Sequence, residues 1–572
     1  MRVSLVVASF LLSLNAVWAQ APGRPAAGEE KKEPAEPGIP VTSALVKAKC
    51  AGCHRDDGQG NLTRISWERT TPEGWQQIIK RMVRLNGLTL TPAEARDIVK
   101  SLSETHGLAP EEAKPVSWYW EKRQLESEQL PNDTLRDACA ACHPIAQPNS
   151  WRRSKAEWDL LANMHRGYFP VVEFTSFRRP FRPGGGGGGG RGAAAAAPAP
   201  PASDKEPFET ALEHFTKSNP LATPEWAQWQ ATRRPAKLAG RWGVSAYLPG
   251  KGKFIGETVI KAAGPDEFTA ETTLTSLKTG EKITRSSKGV VYTGYAWRGS
   301  ATVGNGKERE VMAFSRNQMS AEGRWFWGGY NEFGYDVTLK RLGDGPVVVT
   351  TDTFSLQTGT KGATVKLFGE GLPTGLTPAD IDFGTGVTVA SIAAQSATGL
   401  TVKVDVAANA VVGRRDVLVK RTTLPGAIAI YKTVDFIKTP ESAIARLGGN
   451  THPKGYYQFE AMGYSNGLDG KPNTADDVLL GPVMAKWSVE EFASHYGDDD
   501  KEFVGSMGAE GLFTPSIEGP NEKRKFGTNN YGDIWVVATY SPAGSAKPLV
   551  SKTYFIVTVP QYMRWDQPEV AQ

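Results

Sequence analysis

Hydrophobic positions along this chain change period once, near Leu238. Before that point apolar residues recur at helical spacing, and after it they alternate. Thr71-Pro72-Glu73 marks a helix start with proline at the first helical position, and Trp75, Ile78 and Met82 then share one face at i, i+3 and i+7. Thr91-Pro92-Ala93-Glu94 is a capping box that opens a second helix carrying Ile98 and Leu102 inward. Ser154-Lys155-Ala156-Glu157 is another capping box, and Trp158, Leu161 and His165 repeat the same stripe. A helical pattern returns over 206–216, and Trp226 and Trp229 close the region.

Beyond Leu238 the segments 240–247, 256–262, 267–276, 288–295, 310–315, 324–330 and 335–341 read as short strands between Gly-rich turns. So many antiparallel strands in so short a span predict a small barrel or sandwich. Residues 346–438 alternate Val, Leu and Thr in the manner of an immunoglobulin-like sandwich. Residues 439–560 do so again, with a long loop region and final strands at 534–540 and 552–558.

Composition adds bounds to this picture. At 572 residues the chain is too long for one core, and 40% hydrophobic content with 16 Trp indicates several folded domains. The net charge of +5 is small for the length; it argues against a nucleic-acid binder and leaves room for a docking patch facing an acidic partner. Residues 1–19 read as a secretory signal: Arg2, an apolar run over 3–17, then small Ala19. Residues 20–40, rich in Pro, Glu, Ala and Lys, read as a disordered leader, and 178–203 as a Gly/Ala/Pro low-complexity insertion. No later segment is apolar for long enough to span a bilayer, so the expectation is an exported, periplasmic protein with no membrane span after signal cleavage.

The chemistry lies in two short motifs, Cys50-Ala51-Gly52-Cys53-His54 and Cys139-Ala140-Ala141-Cys142-His143. Each is C-x-x-C-H, the attachment signature of a c-type haem. The thiols of Cys50, Cys53, Cys139 and Cys142 would form the thioethers, and His54 and His143 would ligate the two irons. A lone C-x-x-C could be a redox pair or half a zinc site. Two copies, each with a trailing histidine, in an exported chain whose four cysteines they exhaust, favour two haems c.

Met82 and His165 occupy matching places, each seven residues after the tryptophan of its stripe. Both residue types serve as second axial ligands, so Met82 is the candidate for the first iron and His165 for the second. Ordinarily a methionine or a lone histidine on an apolar helix face is core packing. An iron needing a sixth partner raises both above that background, with Met164 and His106 as competitors. The stretch 469–477 gathers oxygen ligands but lacks the bidentate Glu and the spacing of an EF-hand loop, so a polar surface loop is expected there. His452 and His495 stand isolated in β context, and Asp498-Asp499-Asp500 reads as a solvated loop.

The expected fold class is multidomain: an N-terminal all-α dihaem cytochrome c domain over 41–235, a β-barrel domain over 236–343, and immunoglobulin-like sandwiches over 346–438 and 439–560. In detail the chain resembles the α subunit of quinohaemoprotein amine dehydrogenase. The matching stretches are Leu238-Ala239-Gly240-Arg241-Trp242 with Pro249-Gly250-Lys251-Gly252, residues 469–482, Ala485-Lys486-Trp487-Ser488, Gly511-Leu512-Phe513-Thr514-Pro515 and residues 529–540. The resemblance implies assembly with a β-propeller subunit and a small γ subunit carrying cysteine tryptophylquinone. It implies amine oxidation at that quinone and electron delivery through the haems to a soluble copper protein or cytochrome c. The Gly/Ala/Pro insertion departs from the family pattern. With no cysteine outside the haem motifs, this chain cannot itself hold a cysteine cross-linked to tryptophan. Any amine chemistry belongs to a partner, and no substrate-oxidising residue is expected here. Two other functions fit the same motifs: a dihaem carrier docking to a different dehydrogenase, and a dihaem peroxidase, which would need one iron with an open or displaceable ligand.

Overall fold

Two short strands, β1 (Glu68–Thr70) and β2 (Trp151–Arg153), tie the helical N-terminal region together, pairing antiparallel with Arg69 opposite Arg152. The computed structural model describes residues 36–117, 135–140, 145–177, 205–343, 345–449, 451–493, 497–545 and 547–560. The signal segment, most of the leader, the insertion, Cys142, His143 and His495 lie outside the described residues. Ile39, at the end of the stretch read as leader, already donates its N–H to the Ser66 carbonyl at 2.8 Å.

Among the described residues the α-helices of this region are α1 (Ala44–Cys50), α2 (Pro72–Asn86), α3 (Pro92–His106), α4 (Pro110–Ala113), α5 (Ala146–Asn149), α6 (Lys155–Tyr168), α7 (Pro207–Ser218) and α8 (Pro224–Thr232). Their starts follow the sequence signals. Thr71 caps α2, and Gly87 ends it at φ 71°, a left-handed conformation glycine adopts without a Cβ clash. Thr91 and Glu94 form the full reciprocal box at α3. At α6 the box is half formed: Ser154 Oγ accepts from the Glu157 N–H, while the Glu157 carboxylate reaches Arg64 instead.

Each strand runs directly into the cap of a helix, β1 into α2 and β2 into α6. Arg69 therefore stands to Trp75 as Arg152 stands to Trp158, and the two units meet as related halves. Both tryptophans are buried, and their indoles donate to backbone carbonyls, Trp75 to His106 at 2.9 Å and Trp158 to Asn219 at 3.2 Å. Around the paired strands lies a charge cluster. Arg69, with 0% of its side chain exposed, forks onto Glu112 at 2.9 and 3.0 Å and donates to the carbonyls of Leu221 (2.7 Å) and Gly107 (3.0 Å). Arg152 Nε reaches the same carboxylate at 3.2 Å. Burial pushes the Glu112 carboxyl up, but the hydrogen bonds and charges of Arg69 and Arg152 more than reverse this and hold it below the usual carboxylate range.

The barrel closes with eight strands, not the seven that alternation suggests: β3 (Gly240–Leu248), β4 (Gly252–Gly264), β5 (Glu267–Ser276), β6 (Lys282–Tyr292), β7 (Ala296–Val303), β8 (Gly306–Phe314), β9 (Ser320–Trp327) and β10 (Phe333–Arg341), with β10 returning to β3. The strand without a sequence signal is β7. Its first residues are buried on both faces, because the outer face packs on the helical region. Ala296 joins one core with Trp75 and Trp229, and Arg298 forms a buried ion pair with Glu73 of α2. A strand covered on both sides shows no alternation. Trp242, Trp297, Phe314 and Trp325 fill the interior.

Two four-stranded sheets follow, one ordered Val347–Thr351, Ala363–Glu370, Gly399–Val406, Val387–Gln395 and the other Ser355–Gln357, Thr422–Tyr431, Gly413–Val419, Ile381–Asp382. They enclose a shared core that includes Val365, Val402, Val417 and Ile428. The last region holds three sheets, of which the four-stranded one pairs Gly532–Tyr540 with Leu549–Thr558. Among the described residues no helix is long and apolar enough to cross a membrane. One loop expectation fails here. Asp500 is not solvated but buried, accepting from Arg524 and from the Asp533 N–H at 2.8 Å, with Asp499 on the same guanidinium at 2.8 Å.

Candidate functional site

The first motif begins where α1 ends. Val46 and Cys50 lie on the buried face of that helix, and Cys50 packs in one core with Trp75 and Ile79 of α2. Cys53 is exposed, and both thiols are free. Burial, and then the neighbouring Cys53, push the Cys50 thiol up; burial pushes Cys139 up to about 12. Neutral thiols are the opposite of the activated thiolates that a C-x-x-C redox pair requires.

His54 Nδ1 lies 2.8 Å from the Thr63 carbonyl oxygen. A carbonyl only accepts, so Nδ1 carries the hydrogen and Nε2 carries the lone pair, the tautomer an iron ligand needs. His165 obeys the same logic: its Nδ1 donates to the Leu161 carbonyl at 2.8 Å, leaving Nε2 as the basic nitrogen. Cys139 sits on a π-helical turn, Arg136–Ala140, and packs in one cluster with Trp158 and Leu161 of α6. Thus Cys50 meets α2 and Cys139 meets α6, the helices that carry Met82 and His165. Met82 is half-buried near the end of α2, followed by exposed Val83 and Leu85. Cys142 and His143 fall outside the described residues.

Both competitors are committed elsewhere. Met164 Sδ accepts from Arg81 Nη1 at 3.3 Å. His106 is buried, its Nε2 donating to the Ile39 carbonyl at 3.0 Å and its Nδ1 accepting from the Thr105 hydroxyl at 2.7 Å. Burial, with the nearby Arg69, depresses its pKa to about 4. The unfolded chain therefore binds a proton that the folded one refuses between about pH 6.5 and 4, and stability drains as pH falls through that window. The loss amounts to at most about 3 kcal/mol. Glu157 acts with the opposite sign in the upper part of the window, because its folded pKa is raised, so the comparison must be between variants. The acid-side fall in thermal midpoint is expected to be shallower in His106→Gln than in the wild type. Parallel pH profiles would contradict this.

The loop 469–477 closes on itself: Asp476 accepts from the backbone of Leu468 (2.7 Å) and Asp469 (3.1 Å), and Asp477 from that of Thr474 (3.0 Å). His452 faces Glu518 at 3.4 Å, far in sequence from both motifs. Neither takes part in the site. Thr63, Arg64 and Glu157 do, and periodicity could not find them, since a backbone carbonyl and a cross-unit ion pair leave no repeat. The one available signal was the placing of charged residues close before both caps, Glu68-Arg69 one residue short of Thr71 and Arg152-Arg153 directly before Ser154.

A buried thiol at the end of a helix, a second thiol three residues on and a histidine fixed with its lone pair outward fit a covalently attached haem. Joined to a barrel and further β-sheets, they define a multidomain haem electron-transfer protein. Family models narrow the class. The haem-binding domain of the quinohemoprotein amine dehydrogenase alpha subunit matches residues 41–181, domain II 235–342, domain III 346–432 and domain IV 437–570. The chain belongs to the family of quinohemoprotein amine dehydrogenase alpha subunits. No curated protein matches it. Among solved structures it is similar to a redesigned beta barrel, at 16% identity over 18% of this chain and 92% of that one with a TM-score of 0.17. It is also similar to human protocadherin-24 EC1-2, at 12% identity over 38% of this chain and 98% of that one with a TM-score of 0.14.

Proposed function

We propose that this chain is the periplasmic electron-transfer subunit of an amine dehydrogenase, with two haems c and with the quinone on a partner. The observation that carries the reading is the cysteine count: the two motifs use all four cysteines, in a chain whose family is a quinohemoprotein subunit. Cys50 and Cys53 hold one haem and Cys139 and Cys142 the other. His54 and His143 would each offer one nitrogen to an iron, and Met82 and His165 would be the other side chains holding it. A haem so held would supply one-electron Fe(III)/Fe(II) chemistry. A thioether ligand favours a higher potential than a second imidazole, so this ligand set would favour electron passage from the His165 side to the Met82 side and on to a soluble copper protein or cytochrome c.

The β-regions of this chain offer the surface on which a β-propeller subunit and a small quinone-bearing γ subunit assemble. Native purification followed by mass analysis of everything that accompanies the haem-stained chain tests the reading. The expected companion is a small subunit containing a cysteine–tryptophan cross-link. Recovery of the chain alone, or with a dehydrogenase lacking any quinone, would refute it.

A further inference from the structure

Arg64 adopts φ 72°, ψ −58°, the strained γ-turn geometry that a residue carrying a Cβ rarely takes. It follows Thr63, the residue whose carbonyl accepts the His54 Nδ1–H. Strain of this kind persists only where the surroundings over-determine it. Here they do: Thr63 N–H donates to the Arg55 carbonyl at 3.0 Å, Trp67 N–H to the Arg64 carbonyl at 3.1 Å, and Ser154 N–H to the Trp67 carbonyl at 3.2 Å. The guanidinium then reaches across to the second unit, where Arg64 Nε donates to Glu157 Oε2 at 2.6 Å.

Glu157 is no ordinary surface partner. Its side chain is only 7% exposed, and it faces Arg64 from the loop, Glu68 from β1 and Arg153 from β2. Its place in the sequence would have made it the second half of a capping box, but it forgoes that bond for Arg64. It also rides on α6, the helix that carries His165.

We infer that Glu157 is a positioning residue for His54: through Arg64 it fixes the Thr63 carbonyl that orients the imidazole and sets its basicity. The helix bearing one unit's candidate ligand thereby governs the proximal histidine of the other. Hydrogen bonding at the far nitrogen of a ligating histidine is an established lever on ligand basicity in general. The inference rests on the reading of His54 as an iron ligand. Burial, and then the charge of Glu68, raise the Glu157 carboxyl to about 7, so the clamp changes charge near neutrality. Ionised Glu157 favours the more positive, oxidised state of its neighbourhood, so the midpoint potential falls as pH rises through that value.

Two variants of the holoprotein test this, Glu157→Gln and Arg64→Gly. The glycine accepts φ 72° without strain, so it cuts the tie while sparing the turn. Proton NMR of the reduced protein follows solvent exchange of the His54 ring N–H, and spectroelectrochemistry follows potential against pH. Both variants are expected to exchange that proton faster and to flatten the pH dependence near neutrality. Wild-type exchange and slope in both variants would overturn the clamp. A ring N–H without the shift of an iron-bound imidazole in the wild type would instead overturn the ligand role of His54.

Discussion

Arg69→Ala is expected to destabilise the helical region by about 3–5 kcal/mol, the cost of breaking a buried ion pair from one side. The side chain is fully buried and serves four acceptors: Glu112 through both terminal nitrogens, the carbonyls of Leu221 and Gly107, and Thr223 at 3.2 Å. It also lies 4.8 Å over the Trp226 ring. Truncation strands the Glu112 carboxylate with Arg152, Thr223 Oγ1 and the Ala109 N–H, and leaves two carbonyls of the interior unpaired. Such a loss is a large share of the total of about 5–15 kcal/mol by which a domain is usually stable. Arg152→Ala should cost less, because it meets Glu112 through one bond and its remaining bonds go to Asn149 and Trp151 nearby. Arg69→Lys should fall between them, since an ammonium cannot reproduce the fork. Denaturant unfolding followed by far-UV circular dichroism orders the three. Equal losses for Arg69→Ala and Arg152→Ala would mean that Arg69 is not the organising charge.

Helices α2, α3 and α6 were legible because each announces itself twice, by a cap and by a stripe, whereas the short α1, α4 and α5 were not read. Thr71, Thr91 and Ser154 all accept from the backbone of the following turn. The pairing of Trp75 with Trp158 emerged from spacing alone, and the structure gives both the same buried, carbonyl-bonded setting. What escaped was whatever depends on a second element. Strand β7 was invisible because α2 and its neighbours bury its outer face. Asp500 looked solvated because the Arg524 that neutralises it lies in a separate loop. The orientation of His54 depends on Thr63, and that of Thr63 on Glu157, each link crossing a longer stretch of chain. Periodicity reports the environment of one element, and these features belong to pairs.

His165→Met is expected to raise the midpoint potential of one haem while keeping it low-spin, and Met82→His to lower that of the other. Each substitution exchanges a thioether for an imidazole, or the reverse, at a position the helix already presents. The geometry favours the first exchange. Leu161 holds the His165 ring by Nδ1, and Phe177 flanks it with centroids 6.1 Å apart. Methionine is unbranched and adapts to such a space. His165→Ala removes the donor outright and should convert one haem to a high-spin spectrum with the other unchanged. Met82→Ala should do the same to its own haem. Substituting Met164 or His106 should leave both spectra alone, because Arg81 and Ile39 already engage those side chains. Electronic absorption and electron paramagnetic resonance of the purified holoproteins separate these outcomes. Two low-spin haems in His165→Ala would remove α6 from the site. A high-spin haem in Met164→Ala would instead move the ligand by one residue along that helix. In the double variant Met82→His/His165→Met the order of the two potentials is expected to reverse. That reversal would slow the passage of electrons to the soluble acceptor without altering either attachment motif.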